Sequence, residues 1–263
     1  MKDNNSIISS MNLRKRILEI SQKVSALHIG GSFSSAELIE VIFNKRIKSK
    51  KDKFILSKGH SGILLYAMLE QKKIIKKKQL DLYGFKNGIF GVHPEYSNPG
   101  VEASTGSLGH GIGLAAGMSL SKKFNNIYVL MSDGELMEGS VWEAALMISS
   151  FKLNNITIII DNNDLQSATK ASDTHPTLYP IKDKFESFGW QCFECDGHNP
   201  KDILKKLSKK NKKQPFCLVA KTIKGYPISF MKHKPEWHYR SPNKDEYKIA
   251  INEINKIMKN YER

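Results

Sequence analysis

The stretch NIYVLMSDGELMEGSVWEAALMISSFKLNNITIIID, residues 126–161, decides the architecture. Its ends, NIYVLMSD (126–133) and NITIIID (155–161), are short, apolar and rich in β-branched residues, the pattern of strands covered on both faces. Between them WEAALMISSFKL (142–153) has apolar residues at helical spacing. A strand, helix, strand unit of this kind closes with a right-handed crossover and parallel strands. Upstream, FILSKGH (54–60) reads as a strand running into a turn and GILLYAMLE (62–70) as a helix packed all round. Downstream, WQCFEC (190–195) and FCLVAKTI (216–223) read as two more strands flanking the amphipathic DILKKLSKK (202–210). At the amino end LRKRILEISQKVSALH (13–28) predicts one helix and SSAELIEVIF (34–43) another, with Ser34 and Glu37 at capping-box spacing. No repeat or Pro/Gly-rich linker divides the chain. The expected fold is α/β, a doubly wound and mainly parallel sheet with helices on both faces, formed by one domain over residues 1–263.

Composition removes several classes of function. With 40% hydrophobic and 25% charged residues, the 263-residue chain has enough apolar material for a sizeable core. Its longest apolar stretch, Ile63 to Leu69, is far short of the ~20 residues needed to span a bilayer, and the first residues lack an apolar signal core, so no membrane partner and a cytoplasmic location are expected. The net charge of +15 raises nucleic acid as a partner. Much of the charge sits in three lysine-rich runs, NKRIKSKKDK (44–53), KKIIKKK (72–78) and KKLSKKNKK (205–213), which read as solvated helix faces and loops. Only five of the 41 basic residues are arginine, the side chain suited to bidentate recognition, so nucleic acid is disfavoured. Three cysteines fit a reducing compartment. Cys192 and Cys195, three apart in an expected strand, should face opposite sides of it.

In open parallel sheets ligands bind beyond the carboxyl ends of the strands. There this sequence places Ser132, Asp133, Gly134 and Glu135 after one strand and Asp161, Asn162 and Asn163 after the next. If the strands are neighbours, Asp133 and Asn163 converge. A carboxylate, an amide carbonyl and main-chain carbonyls are hard oxygen donors that suit Mg²⁺ bridging to a diphosphate, and Gly134 would let the backbone approach that anion. The alternative is that DGE and DNN only close two strands, since turns use the same residue types.

The series SDGELMEG (132–139), followed by Asn163 thirty residues beyond Asp133, resembles the metal and diphosphate signature of thiamine diphosphate enzymes; DGELMEGSVWEAA is similar to transketolase in particular. The resemblance continues in LHIGGSFSSAE (27–37), LSKGH (56–60), GVHPE (91–95), GVEASTGSLGHGIGLAAGMSL (100–120) and EWHYRSPNKDE (236–246), nearly the whole chain. It implies the diphosphate-binding (PP) fold with thiamine diphosphate and Mg²⁺, or Ca²⁺, as cofactors. The implied metal ligands are Asp133, Asn163 and the main-chain carbonyl of Leu165, with Ser132, Gly134 and His60 near the diphosphate. Gly106, Ser107 and Leu108 are implied beside the aminopyrimidine. His28, His93 and His238 are implied as proton-handling residues, with His233 competing for the last place, and Glu138 as an interface glutamate coupling paired sites.

The family's pyrimidine-binding domain, which supplies the glutamate that activates the cofactor, has no counterpart in these residues. The resemblance therefore implies a transketolase half-enzyme, active only with a separate carboxy-terminal subunit in an α2β2-type assembly. It would move a two-carbon ketol unit from a ketose phosphate to an aldose. Alternatives on the same scaffold are a deoxyxylulose phosphate synthase-like half, a 2-oxo acid dehydrogenase alpha-like half, or a non-catalytic scaffold.

Overall fold

The computed structural model describes residues 4–167 and 169–262. Helices α1 (Asn4–Ser21), α2 (Ile29–Ser34) and α3 (Ala36–Val41) precede strand β1 (Asp52–Leu56). Helices α4 (Gly62–Gln71), α5 (Lys77–Leu80) and α6 (Gly111–Leu120) connect it to β2 (Asn126–Ser132), and α7 (Gly139–Ser150) joins β2 to β3 (Ile156–Asn162). A two-residue antiparallel ribbon, β4 (Leu165–Gln166) with β5 (Thr169–Lys170), follows, then α8 (Ala171–Thr174) and α9 (Ile181–Ser187). The chain continues through β6 (Gln191–Asp196), α10 (Pro200–Leu207), β7 (Phe216–Lys221) and α11 (Lys244–Lys259).

The main sheet has the order β1-β2-β3-β7-β6, and all four pairings are parallel. Strand residues alternate between two cores, as the period of two requires. Phe54, Leu56, Tyr128, Leu130, Ile159 and Leu218 pack with α1, α3, α4, α10 and α11 on one face. Ile55, Val129, Met131, Ile158, Ile160 and Val219 pack with α6, α7 and α9 on the other. Residues covered on both sides in this way have to be apolar throughout, which is why the central strands read as continuous runs. Cys192 and Cys195 fall on opposite faces, and all three cysteines are free and buried.

Two expectations at the amino end are corrected. The first helix covers Asn4–Ser21 rather than 13–28. It stops where the Ser21 hydroxyl donates back to the Leu18 carbonyl, and the chain then turns and bends through residues 22–25 before Leu27 reaches the core. Ser34 and Glu37 form no capping box. Ser34 closes α2 and donates its hydroxyl to Gly31 O and Asp161 Oδ2, at 3.0 and 2.6 Å. Glu37 accepts from Arg14 Nη1 and Nη2 at 2.5 and 2.7 Å, and its Oε2 lies 3.1 Å from His198 Nδ1. Both Arg14 and Glu37 are buried, and a buried carboxylate gains more from a buried cation than from a helix end. Burial alone would raise the Glu37 carboxyl, but Arg14 and His198 hold it down at about 2. Helix α7 also starts three residues before the expected 142, and it ends before Lys152, whose φ of 53° is left-handed.

Candidate functional site

The carboxyl ends of β1, β2, β3 and β7 open into one cavity of about 180 Å³. Its wall includes His60, Gly106, Leu108, Ser132, Asn163 and His238. Gly31, Lys58, Gly134, Leu165 and Lys224 complete most of the rest. The register pair Ser132 and Asp161 sets the two central strand ends side by side. The following loops touch: Asp164 N–H donates to Asp133 Oδ2 at 2.5 Å, and Gly134 N–H to Asp133 Oδ1 at 2.8 Å. Asn163 Oδ1 accepts from Leu165 N–H at 3.1 Å, while its Nδ2 donates to Asp161 Oδ2 at 3.0 Å. The loop carrying Asn163 and Leu165 is thus tied to Asp133 through the Asp164 N–H.

Three of the four histidines meet. Ring centroids lie 5.4 Å apart for His28 and His60, 5.1 Å for His28 and His238, and 5.7 Å for His60 and His238. His233 is exposed and outside this cluster, so of the two it is His238 whose ring meets the others. His93 is exposed and stands against Gly106, where a Cβ would come within 2.8 Å of its Cγ. With φ of 144° as well, Gly106 admits no side chain without strain. Ser107 is exposed and does not line the cavity. Glu138 is not brought to the site: it is exposed at the start of α7, its side chain packing beside Gly109. Its position before an outward-facing helix carries it to the flank of the molecule.

Burial lowers the His28 imidazole to about 4, with His93, Lys224 and Lys58 opposing its charge further. Burial likewise takes His238 to about 4, helped by Lys224 and His28, and His60 well below its ordinary range. These rings are neutral at pH 7, and His28 Nδ1 is buried without a partner. Between pH 4 and 6.5 the unfolded chain therefore binds more protons at His28 than the folded one, so stability falls as pH drops through that window. The His28 ring resonance is expected to titrate below about pH 5, and a midpoint near the ordinary value of ~6.5 would show a solvated ring instead.

Several residues that shape the site escaped the sequence reading. Lys58, fully buried, donates to Asp161 Oδ2 at 2.5 Å, Gly31 O at 2.9 Å and Ser35 Oγ at 3.1 Å. Burial would raise Asp161, but Lys58, Ser34 and Thr222 hold it below the usual carboxylate range. Burial and the neighbouring Asp161 charge push Asp133 up to about 6. Lys224 Nζ donates to Leu165 O at 3.2 Å and lies 2.9 Å from His238 Nδ1; burial and Lys58 lower it to about 8. Glu135 braces the front of the cavity, accepting from Gly109 N–H at 2.9 Å and from the Ser57 hydroxyl, and is raised by burial.

The main-chain N–H groups at this strand end are already engaged. The Ser132 N–H is committed to Glu135 Oε2 at 3.3 Å, and the Gly134 N–H to Asp133. A Cβ on Gly134 would meet Gln166 at 2.9 Å, so this glycine makes room for a neighbouring side chain. Positive charge at the cavity comes from the ammonium groups of Lys58 and Lys224. Lysines carry no positional signature of their own, although the LSKGH motif did contain one.

A parallel α/β sheet whose strand ends gather an amide and two ammonium groups round a small cavity, with buried carboxylates behind them, defines a domain of the phosphate-bearing cofactor class. Residues 7–254 match the family described as the transketolase thiamine diphosphate binding domain, and the chain belongs to that family. It is 34% identical over 265 residues to an apulose-4-phosphate transketolase subunit of Phocaeicola vulgatus, covering 95% of this chain and 94% of that one. The 6-deoxy-6-sulfo-D-fructose transketolase subunit SqwG of Clostridium sp. is 31% identical, with 93% and 94% covered. The crystal structure of transketolase from Campylobacter jejuni superposes with a TM-score of 0.87 at 24% identity. That match covers 95% of this chain but 43% of the other, which establishes a shared fold over less than half of the longer chain.

Proposed function

We propose that this chain is the cofactor-binding half of a two-subunit transketolase, moving a ketol unit from a ketose phosphate to an aldose. The observation that carries this reading is the contact between the Asp133 and Asp164 loops beside the His28, His60 and His238 cluster. Asp133, Asn163 Oδ1 and Leu165 O offer hard oxygen donors of the kind that Mg²⁺ or Ca²⁺ takes, so the donor set fits a metal carried with a diphosphate. Lys58, Lys224 and His60 suit the diphosphate oxygens, and Gly106 with Leu108, on the cavity wall, would stand beside the aminopyrimidine ring. Bound thiamine diphosphate supplies an electron sink for cleavage of the carbon–carbon bond of the ketose.

The chain's own residues bind, orient and handle protons. Neutral His28 keeps one ring nitrogen able to accept and one able to donate, matched to a substrate hydroxyl and carbonyl near neutral pH, while His238 keeps a ring N–H to donate. His93, exposed beside Gly106, would meet the substrate as it arrives. Lys224, donating toward His238 Nδ1, fixes that nitrogen as the acceptor and leaves the proton on Nε2.

Support for a separate partner is both nominal and physical. Two relatives matched over nearly their whole length are named as transketolase subunits. Helix α6, GIGLAAGMSL, is apolar on every side, yet Leu114 and Leu120 are exposed, as are Leu146 of α7 and Phe151 just beyond it. A helix apolar all round is normally covered. A carboxy-terminal subunit supplying the pyrimidine-binding domain would cover this flank, and Glu138 lies on it, where it could couple paired sites in an α2β2-type assembly. No helix among the described residues is long and apolar enough to cross a membrane, and three free cysteines fit a reducing, cytoplasmic setting.

The test is ketol transfer across a panel of ketose phosphates, with and without a pyrimidine-binding subunit. The expected outcome is turnover only in the reconstituted mixture. Turnover by the isolated chain would refute the half-enzyme reading.

A further inference from the structure

Two of the three lysine-rich runs that the sequence leaves as solvated faces meet at the opposite, amino-terminal end of the sheet. A pocket of about 400 Å³ there is lined by Arg46 of the first run and by Lys210 and Lys212 of the third. Asn125, Asn126, Asn154, Asn155 and Asn211 form the rest of its wall, and no carboxylate among the described residues lines it. A second groove, lined by Lys48, Lys50, Lys53 and Lys72 together with the carboxylates Asp52 and Glu102, brings in the other run, with Lys53 paired to Glu102.

Two polar atoms of this pocket's residues are buried without a hydrogen-bond partner: Arg46 Nε, a donor, and Asn154 Oδ1, an acceptor. Lys210 Nζ donates to Thr157 Oγ1 at 2.9 Å and Ile156 O at 3.3 Å, which leaves its third proton for another acceptor. The Arg46 guanidinium reaches the Leu207 carbonyl at 3.4 Å and hydrogen-bonds the Tyr128 side chain, and among the described residues neither Arg46 nor Lys210 is ion-paired with a carboxylate. Placing two cations together without an anion between them costs free energy, and burial with the nearby Arg46 lowers the Lys210 ammonium to about 8. A phosphate oxygen would satisfy Arg46 Nε and Lys210, and a hydroxyl on the same molecule would satisfy Asn154 Oδ1.

We propose that this pocket binds a small phosphate monoester carrying a neighbouring hydroxyl, at a site separate from the cofactor cavity and at the other end of the sheet. The inference does not depend on the catalytic reading, because it uses none of the same residues.

The test follows the arginine Nε–H signals of the full-length chain by NMR during titration with inorganic phosphate and, separately, with glycerol 3-phosphate, at constant ionic strength. With five arginines the signals can be assigned individually. The Arg46 signal is expected to shift and saturate while the Arg14 signal stays fixed, with glycerol 3-phosphate binding more tightly than phosphate. Lys210→Met and Asn154→Asp are each expected to weaken binding by about tenfold or more, the second by placing a like charge beside the ligand. Asn154→Asp preserves shape and so remains informative if Lys210→Met folds poorly. An unmoved Arg46 signal, an equal shift with chloride, or undiminished affinity in folded Asn154→Asp would overturn the proposal.

Discussion

Asp133→Ala is expected to abolish metal-dependent binding of thiamine diphosphate, with a loss of at least ~100-fold in affinity, while leaving the fold intact. Loss even of an outer partner of a metal ligand typically costs ~10–100-fold, and Asp133 would be the one charged ligand in its set. Its two carboxylate oxygens also hold the Gly134 and Asp164 N–H groups, so the same residue orders the loop that carries Asn163 and Leu165. Stability should change little. Asp133 and Asp161 are buried close together and oppose each other's ionisation, so removing one relieves a penalty that offsets the two lost hydrogen bonds. Calorimetry with cofactor in the presence of Mg²⁺ or of a chelator, paired with thermal unfolding, separates the two effects. Unchanged affinity would sink the metal assignment, whereas an unfolded variant would instead make Asp133 structural.

The second large effect is on stability. Lys58→Met removes the ammonium from a fully buried network in which Asp161 also accepts from Ser34, Ser35, Asn163 and Thr222. Breaking one side of a buried ion pair leaves the other charge without compensation, and the expected cost is about 3–5 kcal/mol. Adding Asp161→Asn to that variant should restore part of the loss, because an amide carries no charge to leave unpaired. Denaturant unfolding of the single and double variants reads this directly. A single variant within about 1 kcal/mol of the parent would show that water replaces the ammonium and that the pair does not hold the cavity floor. Such a network ties α2 to the ends of β1, β3 and β7, so it sets the spacing of His28 and His60 as well as the fold.

Much of this molecule is written in local pattern. Continuous apolar runs at 126–133 and 155–161 specify strands covered on both faces, because only apolar residues tolerate burial on both sides. Asp, Asn and Gly after those runs mark where polar chemistry can stand, and the spacing from Asp133 to Asn163 is one βαβ unit. The family followed from such motifs, since each is short and contiguous.

Tertiary structure alone decided which charges pair. Lys58 with Asp161, Arg14 with Glu37, and Lys224 beside His238 join residues 103, 23 and 14 positions apart. A capping spacing at Ser34 and Glu37 misled because desolvation makes a buried carboxylate seek a buried cation wherever the chain brings one. The meeting of His238, rather than His233, with His28 and His60, the outward position of Glu138, and the meeting of Arg46 with Lys210 have the same origin. Hydrophobic periodicity is read along the chain, whereas electrostatic compensation is settled only between segments that packing has already brought together.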